Sequence, residues 1–227
     1  MMRHGLWLIL LCLAAGCLPD ADGDGVVRIA CLGDSNTQSG WPDASYTRWC
    51  ERAAPLETQN GAPPQVPLRP VTWTNYGIGG ADVCDHSGVA WAWGPYQLQE
   101  ALADHADVVV AAFGTNVYGL SVDDEVACYL ALQNAMPANT AFYVALTPPA
   151  YVPDGQGGYV EDPGASALNT ALRAAFPANR LVDFYTAMPQ SLYTGDPALM
   201  PFNTPNLIHL DNDGQQLRAQ RAVAVVQ

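Results

Sequence analysis

The stretch Ala30-Cys31-Leu32-Gly33-Asp34-Ser35-Asn36-Thr37 governs how the remaining residues are read. Val26 to Leu32 reads as a buried strand, and Gly33 breaks it. Ser35 then stands just past the strand's end. Ligands of open α/β sheets bind outside the carboxyl ends of the strands, which makes a Ser at this place a candidate functional residue. By itself the turn carries little, because Gly, Asp and Ser are common in turns for reasons of backbone geometry alone.

Outward from this stretch, short apolar runs alternate with helical ones. Strands are expected at Val26–Leu32, Val71–Tyr76, Val108–Phe113, Ala141–Leu146 and Arg180–Phe184. Helices are expected near Ala44–Ala54, Tyr96–His105, Val122–Met136, Ala165–Phe176 and Gly214–Val226. Ser121-Val122-Asp123-Asp124 has the form of a capping box, which would satisfy the free N–H groups at a helix start. Such alternation argues for an α/β fold, a parallel sheet with helices on both faces. Continuous apolar runs such as Val108 to Phe113 suit strands covered on both sides. Pro55 to Pro70 is proline-rich and reads as neither helix nor central strand. Pro148 to Gly164 is rich in Gly and Pro and reads as a second long loop, and one of the two is expected to border the site's mouth.

Three further segments follow Ser35 in order: Asn75-Tyr76-Gly77-Ile78-Gly79-Gly80, Phe113-Gly114-Thr115-Asn116 and Asn206-Leu207-Ile208-His209. With Gly33-Asp34-Ser35 they resemble the four blocks of the SGNH (GDSL) hydrolase family. The resemblance spans roughly Val26 to Val226 and implies a three-layer α/β/α sandwich with a five-stranded parallel sheet, flavodoxin-like in form. It also implies acyl transfer by a Ser nucleophile, with neither metal nor organic cofactor. Ser35 would be the nucleophile and His209 the base that takes its proton. The oxyanion hole would consist of the backbone N–H groups of Ser35 and Gly80 and the side-chain amide of Asn116. Gly77 and Gly79 rank below Gly80 because of their spacing from Asn75. Singly, each residue has a plainer reading: a helix cap for Ser35, a turn for Gly80, a loop contact for Asn116, a structural imidazole for His209. The pattern gains weight because it asks for four residues in one order. His86, which closely follows the second block, and His105, expected on a solvent-facing helix, are lesser candidates for the base.

One letter departs from the family, which has Asp where this chain has Asn206. The family's Asp accepts the imidazole Nδ1–H and stabilises the imidazolium. Asn can accept the same bond through its carbonyl, as in Cys-His-Asn sites, but it brings no charge, and Asp→Asn at the equivalent place in a serine protease lowers turnover about 10⁴-fold. Three arrangements are open: a Ser35–His209 dyad oriented by Asn206 or a backbone carbonyl; a substitute carboxylate from Asp183, Asp211 or Asp213; or a domain that binds without hydrolysing.

The chain has 227 residues, enough for one domain with a sizeable core. Its 49% hydrophobic and 14% charged content fits a globular fold. Net charge is −13, and the basic residues are all Arg. An acidic chain without a basic cluster argues against nucleic acid as a partner and disfavours strongly anionic substrates. Trp41, Trp91, Trp93, Tyr96 and Tyr118 fall near the blocks, where aromatic rings either line a pocket or fill core.

The first residues read as a processed segment. Arg3 precedes an apolar run, Leu6 to Ala15, that is too short to span a bilayer. Leu13-Ala14-Ala15-Gly16-Cys17 resembles a bacterial lipobox, which implies a signal peptide over 1–16, a lipid anchor at Cys17 and a place in the cell envelope. Asp20 to Gly25 begins like a calcium loop, but Cys31 stands where the bidentate Glu belongs, so residues 17–25 read as a flexible acidic tether. Cys31, Cys50, Cys84 and Cys128 are free to form disulfides in an oxidising compartment, with three pairings open. No Cys-x-x-Cys or His-rich spacing points to a metal. The expectation is therefore a lipid-anchored ester hydrolase acting on small acyl or O-acetyl esters, those of carbohydrates included. The alternatives are a catalytically impaired relative that binds glycans or envelope components and, third, an O-acyltransferase.

Overall fold

The computed structural model describes residues 18–39, 47–59, 69–84, 94–116, 119–193 and 208–226. Five strands form a parallel sheet: β1 (Val27–Gly33), β2 (Val71–Asn75), β3 (Val108–Ala112), β4 (Ala141–Ala145) and β7 (Leu181–Val182), in the order β2-β1-β3-β4-β7. β1 runs between β2 and β3, so Ile29 faces Trp73 on one side and Val108 on the other. The chain leaves β1 toward β2 and returns to place β3 on its opposite edge. The reversal falls at the carboxyl ends of β1 and β3, the place where doubly wound sheets bind ligands.

The two faces of the sheet follow the period-two alternation of the strands. Ala30, Leu32, Val109 and Ala111 pack beneath α2 (Gly94–Ala103), α3 (Val122–Asn134) and α4 (Pro163–Ala175), where Leu98, Tyr129, Leu132 and Leu172 meet them. Val27, Ile29, Cys31, Val108 and Val110 face the other way, toward Trp49 and Ala53 of α1 (Trp49–Gln59) and Ala219, Ala222 and Val223 of α5 (Asn212–Val226). The result is the expected three-layer α/β/α sandwich. Ser121 caps α3 and forms the capping box with Asp124, as the sequence indicates.

Several boundaries differ from expectation. α1 begins later than Ala44 and continues through Pro55 to Gln59, so part of the segment expected to be loop is helical. An internal proline costs a helix about 3 kcal/mol. Here tertiary burial offsets it, because Trp49, Cys50 and Ala53 are all fully buried and Cys50 is tied to β1. The second expected loop contains a small antiparallel hairpin, β5 (Tyr151–Pro153) with β6 (Tyr159–Glu161). Its turn is closed by Asp154, whose carboxylate accepts the N–H groups of Gln156 and Gly158. The last strand is cut to Leu181–Val182 because Asp183 accepts the N–H groups of Tyr185 and Thr186 and turns the chain out of the ladder.

Two disulfides are present: Cys31–Cys50 joins β1 to α1, and Cys84–Cys128 joins the loop after β2 to α3. The acidic stretch expected to be a flexible tether lies folded against the amino end of the sheet. Ala21 donates its N–H to Asp107 at 2.5 Å, Asn139 donates to the Ala21 carbonyl, and Arg69 pairs with Asp20 at 3.2 Å. Residues 1–16 and Cys17, with the expectations attached to them, lie outside the described residues. Among the described residues, no helix is long and apolar enough to cross a membrane.

Candidate active site

Ser35 sits one residue beyond the Gly33-Asp34 step that ends β1. The turn needs Gly33 for space: a Cβ there would stand 2.5 Å from the Ala112 carbonyl oxygen and 2.3 Å from Thr37 Oγ1. A buried amide from α2 fixes the same residue, since Gly33 N–H donates to Gln97 Oε1 at 2.7 Å and Gln97 Nε2 donates to the Gly33 carbonyl at 2.9 Å. The Asp34 carbonyl then accepts the N–H groups of both Thr37 and Gln38 at 2.9 Å, curling the chain around Ser35.

His209, 174 positions along the chain, brings its Nε2 to 2.9 Å from Ser35 Oγ. Sequence reading placed these two together, and the structure does the same. Asn116 follows β3 and donates from Nδ2 to the Ala81 carbonyl at 3.0 Å, which couples the third block to the residue just after the second. Gly80 is exposed, with φ of +79°, a left-handed conformation that a side chain would strain. Gly77 donates its N–H to Asn75 Oδ1 and Gly79 to Gln38 Oε1, each at 2.8 Å.

Asn206 lies outside the described residues, as do His86, Trp41, Trp91, Trp93 and Tyr118. The three substitute carboxylates have other surroundings. Asp183 holds two backbone N–H groups and lies 3.8 Å from Arg173, and its backbone bonds and that cation keep its carboxyl below the usual range against the effect of burial. Asp211 accepts the Gly214 N–H at the start of α5, and Asp213 is exposed on the same turn. His105 stands just before β3, at the edge of the sheet opposite Ser35, with 71% of its side chain exposed. Tyr96 is exposed on α2.

Beneath Ser35 lies a buried polar layer. Asp34 is 1% exposed, and its carboxylate accepts the N–H groups of Asn36 at 2.8 Å and Thr115 at 3.3 Å. Burial raises its pKa, while these donors and the Arg218 charge act against that rise. Arg218, also buried, donates to the Asn36 carbonyl at 2.7 Å and lies over the Phe184 ring at 4.3 Å. Burial pushes its guanidinium down to about 9, so it stays charged at neutral pH. Behind Gly80, Asp82 and Glu125 are both buried, and Glu125 is pushed up to about 7, first by burial and then by the Asp82 charge. A cavity of about 860 Å³ between α2 and α3, lined by Leu98, Leu120, Leu132 and the Cys84–Cys128 bridge, includes neither Ser35 nor His209.

Asn36, Gln97 and Arg218 are the supporting residues that sequence reading missed. Arg218 carried a faint signal: it shares one helical face with Gln215 and with the small residues Ala219 and Ala222.

Solved structures share this architecture. The lipase/acylhydrolase from Enterococcus faecalis matches at TM-score 0.58 and 17% identity, over 87% of this chain and 94% of its own. A carbohydrate acetylesterase from Sinorhizobium meliloti matches at TM-score 0.56 and 19% identity, over 87% and 96%. The aryl esterase of M. smegmatis matches at TM-score 0.56 and 17% identity, over 88% and 98%. No curated protein sequence matches the chain. At these identities the likeness speaks for the fold. The model of the GDSL-like lipase/acylhydrolase family matches residues 31–217, most of the chain, and the chain belongs to that family.

Proposed function

We propose that this protein is a serine ester hydrolase working through an acyl-enzyme. The observation that carries the reading is the 2.9 Å approach of His209 Nε2 to Ser35 Oγ, within reach for direct proton transfer. With Nε2 unprotonated, the Ser35 hydroxyl donates to it. As Oγ attacks the ester carbonyl carbon, the proton passes to His209. The tetrahedral oxyanion is received by the N–H groups of Ser35 and Gly80 and by the Asn116 amide, whose Nδ2 is aimed by its bond to Ala81. Each such donor is worth about 2.7–4 kcal/mol in comparable enzymes. His209 returns the proton to the leaving alkoxide. It then takes one from water, which attacks the acyl-enzyme and frees the acid and Ser35.

Asn206 accepts the imidazole Nδ1–H through its carbonyl in this reading, orienting the ring without stabilising its charge. The substrate is a small acyl or O-acetyl ester, on carbohydrate by analogy with the acetylesterase neighbour. The two disulfides suit an oxidising compartment, consistent with a lipid-anchored protein of the cell envelope. A second reading, glycan binding with little hydrolysis, is favoured by the neutral residue at 206 alone.

Hydrolysis of p-nitrophenyl acetate, run beside a Ser35→Ala control, tests the reading. Turnover that the control abolishes is expected. Turnover equal in both proteins would reject the covalent mechanism for activated small esters and leave binding as the better account.

A further inference from the structure

Ser35 and His209 are brought together across 174 positions of chain, and the residue beside Ser35 spans the join. Asn36 is 2% exposed. Its Nδ2 donates to the Ile208 carbonyl at 3.1 Å, and its Oδ1 accepts the Leu210 N–H at 3.4 Å. These are the backbone groups on either side of His209. Each end of the amide meets a partner of the matching kind, so one side chain grips the base-bearing turn much as a neighbouring strand would. Nδ2 also reaches Thr115 Oγ1 at 3.3 Å, in the segment that carries Asn116.

Asn36 is held in turn by groups of its own. Its N–H donates to Asp34, and its carbonyl accepts from Arg218. On the far side, Leu210 bridges Tyr193, and Tyr193 packs edge-on against Tyr151 of the hairpin at 5.2 Å. The His209 backbone is therefore clasped from both sides. Error in the Ser35–His209 distance is limited by a short ring of bonds rather than by the long intervening chain.

We infer that Asn36 is a positioning residue that sets His209 against Ser35. The inference rests on the proposed hydrolase reading. Misplacing a reacting group by about 1 Å costs up to about 10²-fold in rate, and side-chain reorientation on losing both bonds is of that order. Asn36 touches neither substrate nor the reacting atoms in this account and acts only through His209.

The test compares Asn36→Ala and Asn36→Ser in the wild-type and His209→Ala backgrounds, with kcat and KM for p-nitrophenyl acetate and thermal midpoints for all proteins. Wild-type turnover above the Ser35→Ala level is required first; its absence would defeat the hydrolase reading and the inference with it. Given that turnover, either Asn36 variant should lower kcat about 10- to 100-fold, with KM within about threefold and no further loss where His209 is already Ala, because residues acting as a unit are non-additive. Equal losses in both backgrounds, or unchanged kcat, would overturn the assignment. Failure of both variants to fold would make Asn36 a residue of the fold and overturn it equally.

Discussion

Asn206 is the one block residue whose chemistry departs from the family, and its consequence is a matter of charge. In the proposed mechanism an Asp at this place would favour the imidazolium that forms as Ser35 gives up its proton, whereas Asn can only orient the ring. Asn206→Asp is therefore expected to raise kcat on p-nitrophenyl acetate by one or more orders of magnitude, roughly, out of the about 10⁴-fold the charge is worth elsewhere. Steady-state kinetics of the pair check this. A fall in kcat would place the acid function elsewhere. Asp183 and Asp211 are poor replacements, since the first already accepts two backbone N–H groups and the second accepts one. At this scale the sequence was informative for Ser35 and His209, which the structure brings to 2.9 Å of each other. It was silent on Asn36 and Gln97, because a buried amide is chosen by the backbone groups it must satisfy, and those come from distant parts of the chain.

The elements show where local pattern sufficed. β1, β3 and β4 were legible because their apolar runs are long and covered on both faces. α1 was misjudged because Pro55 argues locally for a break, while Trp49 and Cys50 are held by contacts no local reading shows. α3 carries a titratable liability in Glu125, whose buried carboxyl is pushed up to about 7 by burial and by Asp82. The folded-state pKa lies above the unfolded one, so the associated stability is complete below the ordinary Glu range and is lost as pH rises through about 7. Tyr129 on the next turn is neutral throughout this window, as burial and the Glu125 charge raise its pKa. Glu125→Gln should consequently flatten the fall in thermal midpoint between pH 5 and 8, those limits chosen roughly to bracket the transition. Parallel slopes for the two proteins would show that Glu125 is not the group responsible.

Across the whole molecule, topology does what no segment announces. The β2-β1-β3 order sets Ser35 and Asn116 on adjoining strand ends, and the turn just before α5 holds His209 against Ser35. The block residues Ser35, Asn116 and His209 stand apart in the sequence, and the strand order is what places Ser35 beside the segment that carries Asn116. Disulfides add restraint on both faces of the sheet. The Cys84–Cys128 loop spans 44 positions and the Cys31–Cys50 loop 19, and closing the longer loop removes more unfolded-state entropy. Cys84→Ala with Cys128→Ala should cost about 2–4 kcal/mol of unfolding free energy, measured by urea titration. A loss under about 0.5 kcal/mol would contradict a stabilising role for that bridge.

The central claim is that His209 activates Ser35 for attack. Intact-mass and peptide mass spectrometry after brief exposure to a fluorophosphonate tests it without assuming a natural ester. The account predicts a single adduct, mapped to Ser35, that forms much more slowly in His209→Ala and not at all in Ser35→Ala. An adduct on another residue, or labelling of Ser35 at the same rate without His209, would contradict it.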